Sequence, residues 1–310
     1  FLFDGEYNFN IYGTLKALGT ESDSIIFDNY GDEKWRGFTL DNASDETVFE
    51  YVRISGAEKD VGGGMYLSSS NPTLNNVTIS NNTAYSGGGM CLFSSNPTLN
   101  NVTISNNTAD DDGGGMFLFY SNPILTNVTI SNNTSGDGGG MFLNSSNPTL
   151  TNTIIWENIP ESIYLNEGIE YPIITFSDIQ GSWEGEGNID TDPLFTNSEN
   201  EDYTLQPNSP CIDAGTAYLE LDGEIIIDLD ESEYIGSAPD MGAYEYNPLS
   251  IYKPVEILPI KYSLEYPYPN PFNPKTSISF SLPKQSQTSV KVYDIKGNLI
   301  STLLNESINV

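Results

Sequence analysis

Acidic side chains lie directly before two glycine triplets of this chain, and carboxylate oxygens suit a hard cation such as Ca²⁺. Asp110, Asp111 and Asp112 precede one triplet, and Asp137 precedes the next. If the two turns stack on each other as neighbouring strands do, Asp112 and Asp137 lie about 5 Å apart. The spacing therefore points to a calcium site, with a solvated acidic turn as the alternative.

Aromatic side chains form a second set of candidate residues. Phe117 and Phe142 each follow a repeated Met, and Phe93 and Phe119 occupy a position two residues further along their strands. Successive side chains of a strand point to opposite faces, so these columns face away from the invariant Met and Leu columns. We place Met and Leu inside, which exposes the Phe columns for stacking on sugar rings or for packing on a partner. The reverse parity would bury them in the core.

Composition excludes several kinds of chemistry. The 310-residue chain has no His, which rules out Ser-His-Asp and Cys-His catalysis and His-ligated zinc. Its 43 acidic and 11 basic residues give a formal net charge of −32, which repels nucleic acid and anionic membranes. No apolar run approaches the roughly 20 residues of a membrane span. Cys91 and Cys211 lack metal-type spacing, so we expect two buried thiols, with a disulfide as the alternative.

Polysaccharide cleavage is the enzymatic alternative for such a chain. A lyase needs acidic calcium ligands and a Lys or Arg base, and no basic residue occurs between Asp60 and Ser250. A glycoside hydrolase needs a carboxylate pair, which this acidic chain contains many times over. An active site interrupts a repeat locally, however, and the repeats described next are nearly uninterrupted. The sequence therefore favours a protein without catalytic activity.

Sequence repeats are the elements that must position these residues. Glycine triplets followed by Met recur every 25 or 26 residues, at Gly62, Gly87, Gly113 and Gly138, and near-identical repeats cover residues 62–158. A fixed period of this length is typical of a solenoid. Each repeat also carries short β-forming runs and an Asn-Pro pair, which together with the glycines exclude helical repeats. The pattern predicts stacked parallel strands about 4.8 Å apart.

A column of asparagines runs through the repeats in an Ile-x-x-Asn pattern, at Asn82, Asn107, Asn133 and Asn158. We expect these amides to point inward at a turn, where each bonds to backbone and to the Asn of the next coil. An outward row that binds sugars is the alternative. Weaker copies of the pattern flank the repeats, so we expect six to seven coils over residues 1–180.

The repeats resemble the right-handed parallel β-helices of secreted bacterial surface proteins, a fold that pectate lyases share. Residues 181–247 include the sequences NIDTDPLF at 188–195 and PDMGAYEY at 239–246. They resemble the segment that closes such helices in proteins of the choice-of-anchor type. The resemblance implies that this segment covers the open edge of the last coil, which would otherwise invite strand addition.

The character of the sequence changes after residue 247. Prolines punctuate a linker over residues 248–265, and residues 266–310 contain the sequence YPNPFNPKTSISF and a Lys-Gly-Asn turn. This part resembles the C-terminal sorting domain of type IX secretion substrates, a small immunoglobulin-like sandwich. Members of that family continue with further strands, so we expect an incomplete sandwich, and we expect a chain that begins at Phe1 to be a processed or partial piece.

These observations predict an all-β chain, a right-handed parallel β-helix followed by a partial immunoglobulin-like β-sandwich. We expect a secreted, monomeric protein attached to the outer membrane after export by the type IX machinery. Its expected role is adhesion or carbohydrate binding without catalysis, with extracellular polysaccharide or a surface partner as ligand and Ca²⁺ as the candidate cofactor. The alternative is a polysaccharide hydrolase or lyase that uses carboxylates on the β-helix face.

Overall fold

The chain folds into two compact units, residues 1–247 and residues 248–310. This computed structural model describes residues 1–166, 171–248, 263–264, 280–281 and 286–308. Within these residues the regular structure is β-strand apart from a 3-10 turn at Ser198–Asn200, and no helix is long and apolar enough to cross a membrane. The predicted all-β class is therefore confirmed.

One parallel sheet receives a single strand from every coil, and we call it the aromatic sheet. Its seven strands are Phe9–Ile11, Phe38–Asp41, Met65–Ser68, Met90–Phe93, Met116–Phe119, Met141–Asn144 and Ile163–Asn166. The strands pair in register, so Met65, Met90, Met116 and Met141 form one column. Seven strands correspond to about seven coils, which confirms the prediction of six to seven.

A larger parallel sheet, which we call the bent sheet, receives two strands or one long strand from most coils. Its strands are Leu2–Phe3, Lys16–Leu18, Ile25–Asn29, Val48–Glu50, Val52–Ser55, Thr73–Asn75, Thr78–Ser80, Thr98–Ser105, Ile124–Ser131, Thr149–Thr151, Ile154–Trp156, Ile173–Thr175 and Asp178–Ile179. Within the repeats the bend lies at Asn76, Asn101, Asn127 and Asn152, whose φ angles of 52° to 54° are left-handed. Asn tolerates this conformation better than most residues.

The remaining strands of the first unit are short. A third parallel sheet, the short sheet, consists of Glu58–Val61, Thr83–Ser86 and Thr108–Ala109. Antiparallel pairs join Phe195–Asn197 to Asp202–Leu205 and Tyr218–Leu221 to Glu224–Asp228. These three parallel sheets therefore form the walls of the β-helix around its core. The two antiparallel pairs belong to the segment that follows the β-helix.

The core consists of identical side chains stacked one coil above another. Met65 and Leu67 of the aromatic sheet, and Leu74, Val77 and Ile79 of the bent sheet, are buried, as are their equivalents in the next coils. No coil buries enough apolar area alone to offset the chain entropy of about 25 residues. Stacking supplies the missing burial and adds hydrogen bonds between coils.

Two ladders of polar side chains run inside the helix. Asn82, Asn107 and Asn133 of the predicted column each donate from Nδ2 to the Oδ1 of the Asn one coil on, at distances of 3.0 to 3.1 Å. The same Oδ1 atoms accept backbone N–H groups, so the four amides lie inside rather than on the sugar-accessible surface. A second ladder, of Ser70, Ser95, Ser121 and Ser146, accepts backbone N–H groups in the same way. These bonds satisfy buried donors at the corners.

The closing segment, residues 181–247, begins by covering the last coil. Ile189 pairs with Asp178 in a parallel bridge, and Trp183 packs against the core of the helix. This part protects the open edge, as the family resemblance implies.

The rest of the closing segment runs back along the outer face of the bent sheet. The Tyr203 hydroxyl accepts hydrogen bonds from the Asn106 and Asn132 amides, and Glu201 forms an ion pair of 3.7 Å with Arg53, several coils from the end. Thr and Asn side chains on the outer face supply bonding partners along the segment, so it also follows the side of the helix.

The second unit contains antiparallel strands compatible with a small β domain. Ser286–Tyr293 pairs with Leu299–Ile308, and Ser263–Leu264 pairs with Phe280–Ser281. Asp294 accepts backbone N–H groups across the predicted Lys-Gly-Asn turn. The predicted linker at 248–265, apart from residues 248 and 263–264, and the Pro-Asn-Pro-Phe-Asn-Pro motif at 269–274 lie outside the described residues.

Candidate functional site

Two columns of aromatic rings lie on the outer face of the aromatic sheet. In the first, Phe117 stacks on Phe142 and Phe142 on Tyr164, with ring centroids 5.2 Å apart in both pairs. In the second, Phe93 stacks on Phe119 at 5.0 Å and 20° between ring planes. In-register parallel pairing places equivalent side chains about 4.8 Å apart, which accounts for the ring spacing.

Exposure differs between the four predicted Phe residues. Phe93 is 44% exposed, and Phe117 and Phe119 are half-buried. Phe142 is only 4% exposed, because rings of neighbouring coils cover it on both sides. The accessible part of the surface is therefore formed by Phe93, Phe117 and Phe119.

These three rings line a groove, which we call the aromatic groove, with a volume of about 610 Å³. Its other lining residues are Thr39, Lys59, Asp60, Val61, Tyr66 and Cys91. They come from three successive coils and from the short sheet, so the groove follows the axis of the helix. Apolar walls with a few polar groups at the rim are typical of a ligand site.

Lys59 is the residue that the sequence analysis missed. Its ammonium hydrogen-bonds to the Thr39 hydroxyl and lies 5.4 Å from the centroid of the Tyr66 ring, as in a cation–π contact. Burial lowers the pKa of Lys59, because the charged form loses water. Lys59 lies just before the stretch without basic residues, and the fold turns its side chain back over the aromatic sheet.

Cys91 and Cys211 are both free and buried. Cys91 lies in the aromatic groove between Tyr66 and Phe117 of the adjacent coils, and burial raises the pKa of its thiol to about 12. Cys211 lies in the closing segment and donates from Sγ to Asp178 Oδ2 at 3.2 Å. The disulfide alternative is therefore wrong for this structure, since the two thiols occupy separate environments.

The predicted acidic turns stack as expected from the repeat. Asp112 and Asp137 pair in a parallel bridge, and Asp110, Asp111 and Asp137 are exposed. Burial and the charges of Asp111 and Asp137 raise the pKa of Asp112 to about 6. In the described part of the chain no three or more such side chains group as metal ligands. The calcium site thus stays a prediction.

Two buried carboxyl groups hold loops around the closing segment. Asp178 accepts a backbone hydrogen bond from Thr191, and Asp240 accepts bonds from the backbone of Asp213 and Tyr246. Burial raises the pKa of Asp178 and of Asp240 to about 6. Their positions and partners mark them as structural groups at the helix flank.

We expect the protein to become more stable when the pH is lowered from 7.5 to 5.0. A raised pKa means that the native state binds the proton more tightly than the unfolded chain between pH values of about 4 and 6, so the free energy of unfolding falls as the pH rises through that range. Asp178→Asn should reduce this dependence by about 1.4 kcal/mol, because only the one pH unit between 6 and 5 lies below the raised pKa and inside the measured interval. Thermal unfolding at both pH values measures it.

The control for this prediction is Asp222→Asn, at an exposed turn. It should keep the pH dependence of the parent protein. An Asp178→Asn variant with the parent's pH dependence would contradict the assignment.

Two family models match the chain and agree with this architecture. The family model "Right handed beta helix region" matches residues 4–121 and 87–180, and "Secretion system C-terminal sorting domain" matches residues 267–310. The crystal structure of pectate lyase Pel9A is similar at 13% identity and a TM-score of 0.35, covering 79% of this chain and 87% of that chain. No curated protein matches the chain.

The sorting domain indicates type IX secretion to the cell surface or extracellular space. The β-helix match spans more than half of the chain and coincides with its stacked coils. This chain belongs to the right-handed β-helix family and carries a secretion-system C-terminal sorting domain.

Proposed function

We propose that this secreted β-helix protein binds extracellular polysaccharide through the aromatic groove, as a monomer and without cleaving it. The observation that carries the proposal is the accessible aromatic wall of Phe93, Phe117 and Phe119 along a groove of about 610 Å³. Aromatic rings stack on the C–H faces of sugars, and large exposed apolar patches mark interaction surfaces.

Charge favours a neutral polysaccharide as the ligand. The chain carries a formal net charge of −32, and Asp60 at the groove rim adds a carboxylate beside Lys59. A polyanionic chain such as a polyuronate would be repelled by this field. Lys59 and Asp60 can instead donate to and accept from hydroxyl groups of a neutral sugar.

Replacing Phe93 and Phe119 together by Ala is expected to weaken binding about 30-fold, since two stacking contacts together contribute roughly 2 kcal/mol. A glycan array identifies ligands for the parent, and titration calorimetry then measures both proteins. Tyr218→Ala, which removes an exposed ring from the closing segment, is the matched control and should bind like the parent. Undiminished binding by the double variant would reject the groove as the site.

Polysaccharide cleavage is the second candidate, and Lys59 is the observation that favours it. Burial lowers the pKa of this groove amine, which suits a general base. Against a hydrolase, Asp60 is the single carboxylate among the residues that line the groove. Reducing-end and unsaturated-product assays on every bound glycan separate the two candidates, because a binding protein releases neither product.

A further inference from the structure

A second cavity lies between the outer face of the bent sheet and the closing segment, and we call it the polar cavity. Its volume is about 190 Å³, and four of its eight lining residues come from the bent sheet, namely Arg53, Thr78, Thr103 and Ser105. All eight lining side chains are polar, and five of them carry a hydroxyl group. One water molecule needs only about 10–15 Å³ of such a cavity, so there is room for a small ligand.

The floor of the polar cavity consists of buried hydroxyl groups. Thr103 and Ser105 of the bent sheet and Tyr203 of the closing segment are all buried. Among the described residues Ser105 Oγ has no partner at hydrogen-bond geometry, although the Tyr203 hydroxyl lies close to it. A buried hydroxyl without a partner is unfavourable, and a ligand hydroxyl in the cavity would supply the partner.

The Tyr203 hydroxyl also has a hydrogen-bonding site left for a ligand. Its oxygen accepts from the Asn106 amide at 3.3 Å and from the Asn132 amide at 3.2 Å. These two bonds occupy both lone pairs of the oxygen, and its O–H proton remains to be donated. Ser105 and Tyr203 therefore offer two neighbouring donors at the floor of the cavity.

Charges at the rim of the polar cavity balance each other. Arg53 Nη2 lies 3.7 Å from Glu201 Oε2, and Glu201 Oε1 accepts from the Asn81 amide at 2.6 Å. An anionic ligand would meet the Glu201 carboxylate and the field of a chain with a net charge of −32. A cationic ligand would meet the Arg53 guanidinium, so the rim favours a neutral ligand.

We propose that the polar cavity binds a single neutral sugar ring, as a second carbohydrate site apart from the aromatic groove. Each hydroxyl group of a sugar both donates and accepts, which matches the hydroxyl groups of the floor and the charged pair at the rim. The cavity has less than a third of the volume of the aromatic groove, so it suits one ring rather than a chain. The two sites share no lining residue, and this inference therefore does not depend on the proposed function.

Ser105→Ala tests the inference in NMR titrations with D-glucose, D-galactose and D-mannose. We expect at least one of these sugars to bind the parent at millimolar concentration. Ser105→Ala should weaken that binding about five-fold, because one hydrogen bond to the sugar is lost. It should not lower the melting temperature, since the Ser105 hydroxyl has no partner in the described structure.

Ser131→Ala is the matched control. Ser131 follows Ser105 in the same column, is equally buried and also has no hydrogen-bond partner among the described residues, but it does not line the polar cavity. This variant should bind the sugar like the parent. Equal weakening in the two serine variants would overturn the assignment of the sugar to this cavity.

Three further outcomes decide the inference. If the parent binds none of the three sugars up to tens of millimolar, the cavity holds only water and the inference is wrong. The uronate of the bound sugar should bind at least ten-fold more weakly, and tighter binding would overturn the neutral ligand class. The Phe93→Ala/Phe119→Ala variant should keep its affinity for the single sugar even if it loses polysaccharide binding. A loss of both would place the single sugar in the aromatic groove instead.

Discussion

Replacing Asn107 by Ala is expected to lower the free energy of unfolding by about 4 kcal/mol. The Asn107 amide donates to Ile79 O at 2.9 Å and to Asn133 Oδ1 at 3.0 Å, and its Oδ1 accepts both the backbone N–H and the side-chain amide of Asn82. All these groups are buried. Alanine leaves several of them without a partner in a place that water does not reach, and each unsatisfied group costs about 1–3 kcal/mol. Urea denaturation measures the loss.

Asn96→Ala is the matched control for this prediction. Asn96 lies in the same coil and also bonds to the next one, through the backbone N–H of Asn122, but its side chain is exposed. Water can replace that bond, so we expect a loss below about 1 kcal/mol. Equal losses in the two variants would show that the amides act through coil stacking in general and not through buried hydrogen bonds.

Contacts between equivalent positions of neighbouring coils could be read from the sequence. Near-identical repeats force Met65 to lie on Met90, and Asn82 on Asn107, because any other register would break every column at once. The same argument placed Phe93 beside Phe119. The period therefore predicts the fold and most of one wall of the aromatic groove.

The rest of the groove depends on contacts that have no period. The Lys59 side chain crosses a turn to contact Thr39 and Tyr66. The columns of equivalent positions do not predict where this side chain points, because Lys59 has no repeated equivalent. The closing segment follows the bent sheet through pairs such as Arg53 with Glu201, far apart in the chain and outside the repeats. A search of basic residues flanking the repeats, rather than within them, could have found Lys59.

The second large effect is expected for Gly114→Ala, the middle glycine of a triplet. A Cβ at this position would lie 2.6 Å from Gly139 O and 2.7 Å from Thr134 N and O. All three are backbone atoms of the next coil, so no side chain can rotate away. Relief requires the coils to separate, which breaks the hydrogen bonds from Gly114 N to Gly138 O and from Gly115 N to Gly139 O. We expect a loss of about 4 kcal/mol in the free energy of unfolding, above the usual range for overpacking.

Gly13→Ala is the control for this prediction. It separates the effect of close backbone approach from the general effect of replacing a glycine. Gly13 is exposed, its φ is not left-handed, and a Cβ there would meet nothing within 4 Å. Alanine should raise the free energy of unfolding by about 0.4–1 kcal/mol, because it restricts the unfolded chain. Urea denaturation of both variants should thus give changes of opposite sign. If Gly114→Ala were as stable as the parent, close packing of the coils would not explain the glycine triplets. Their recurrence before every strand of the aromatic sheet within the repeats would then need another explanation, such as a role in ligand binding.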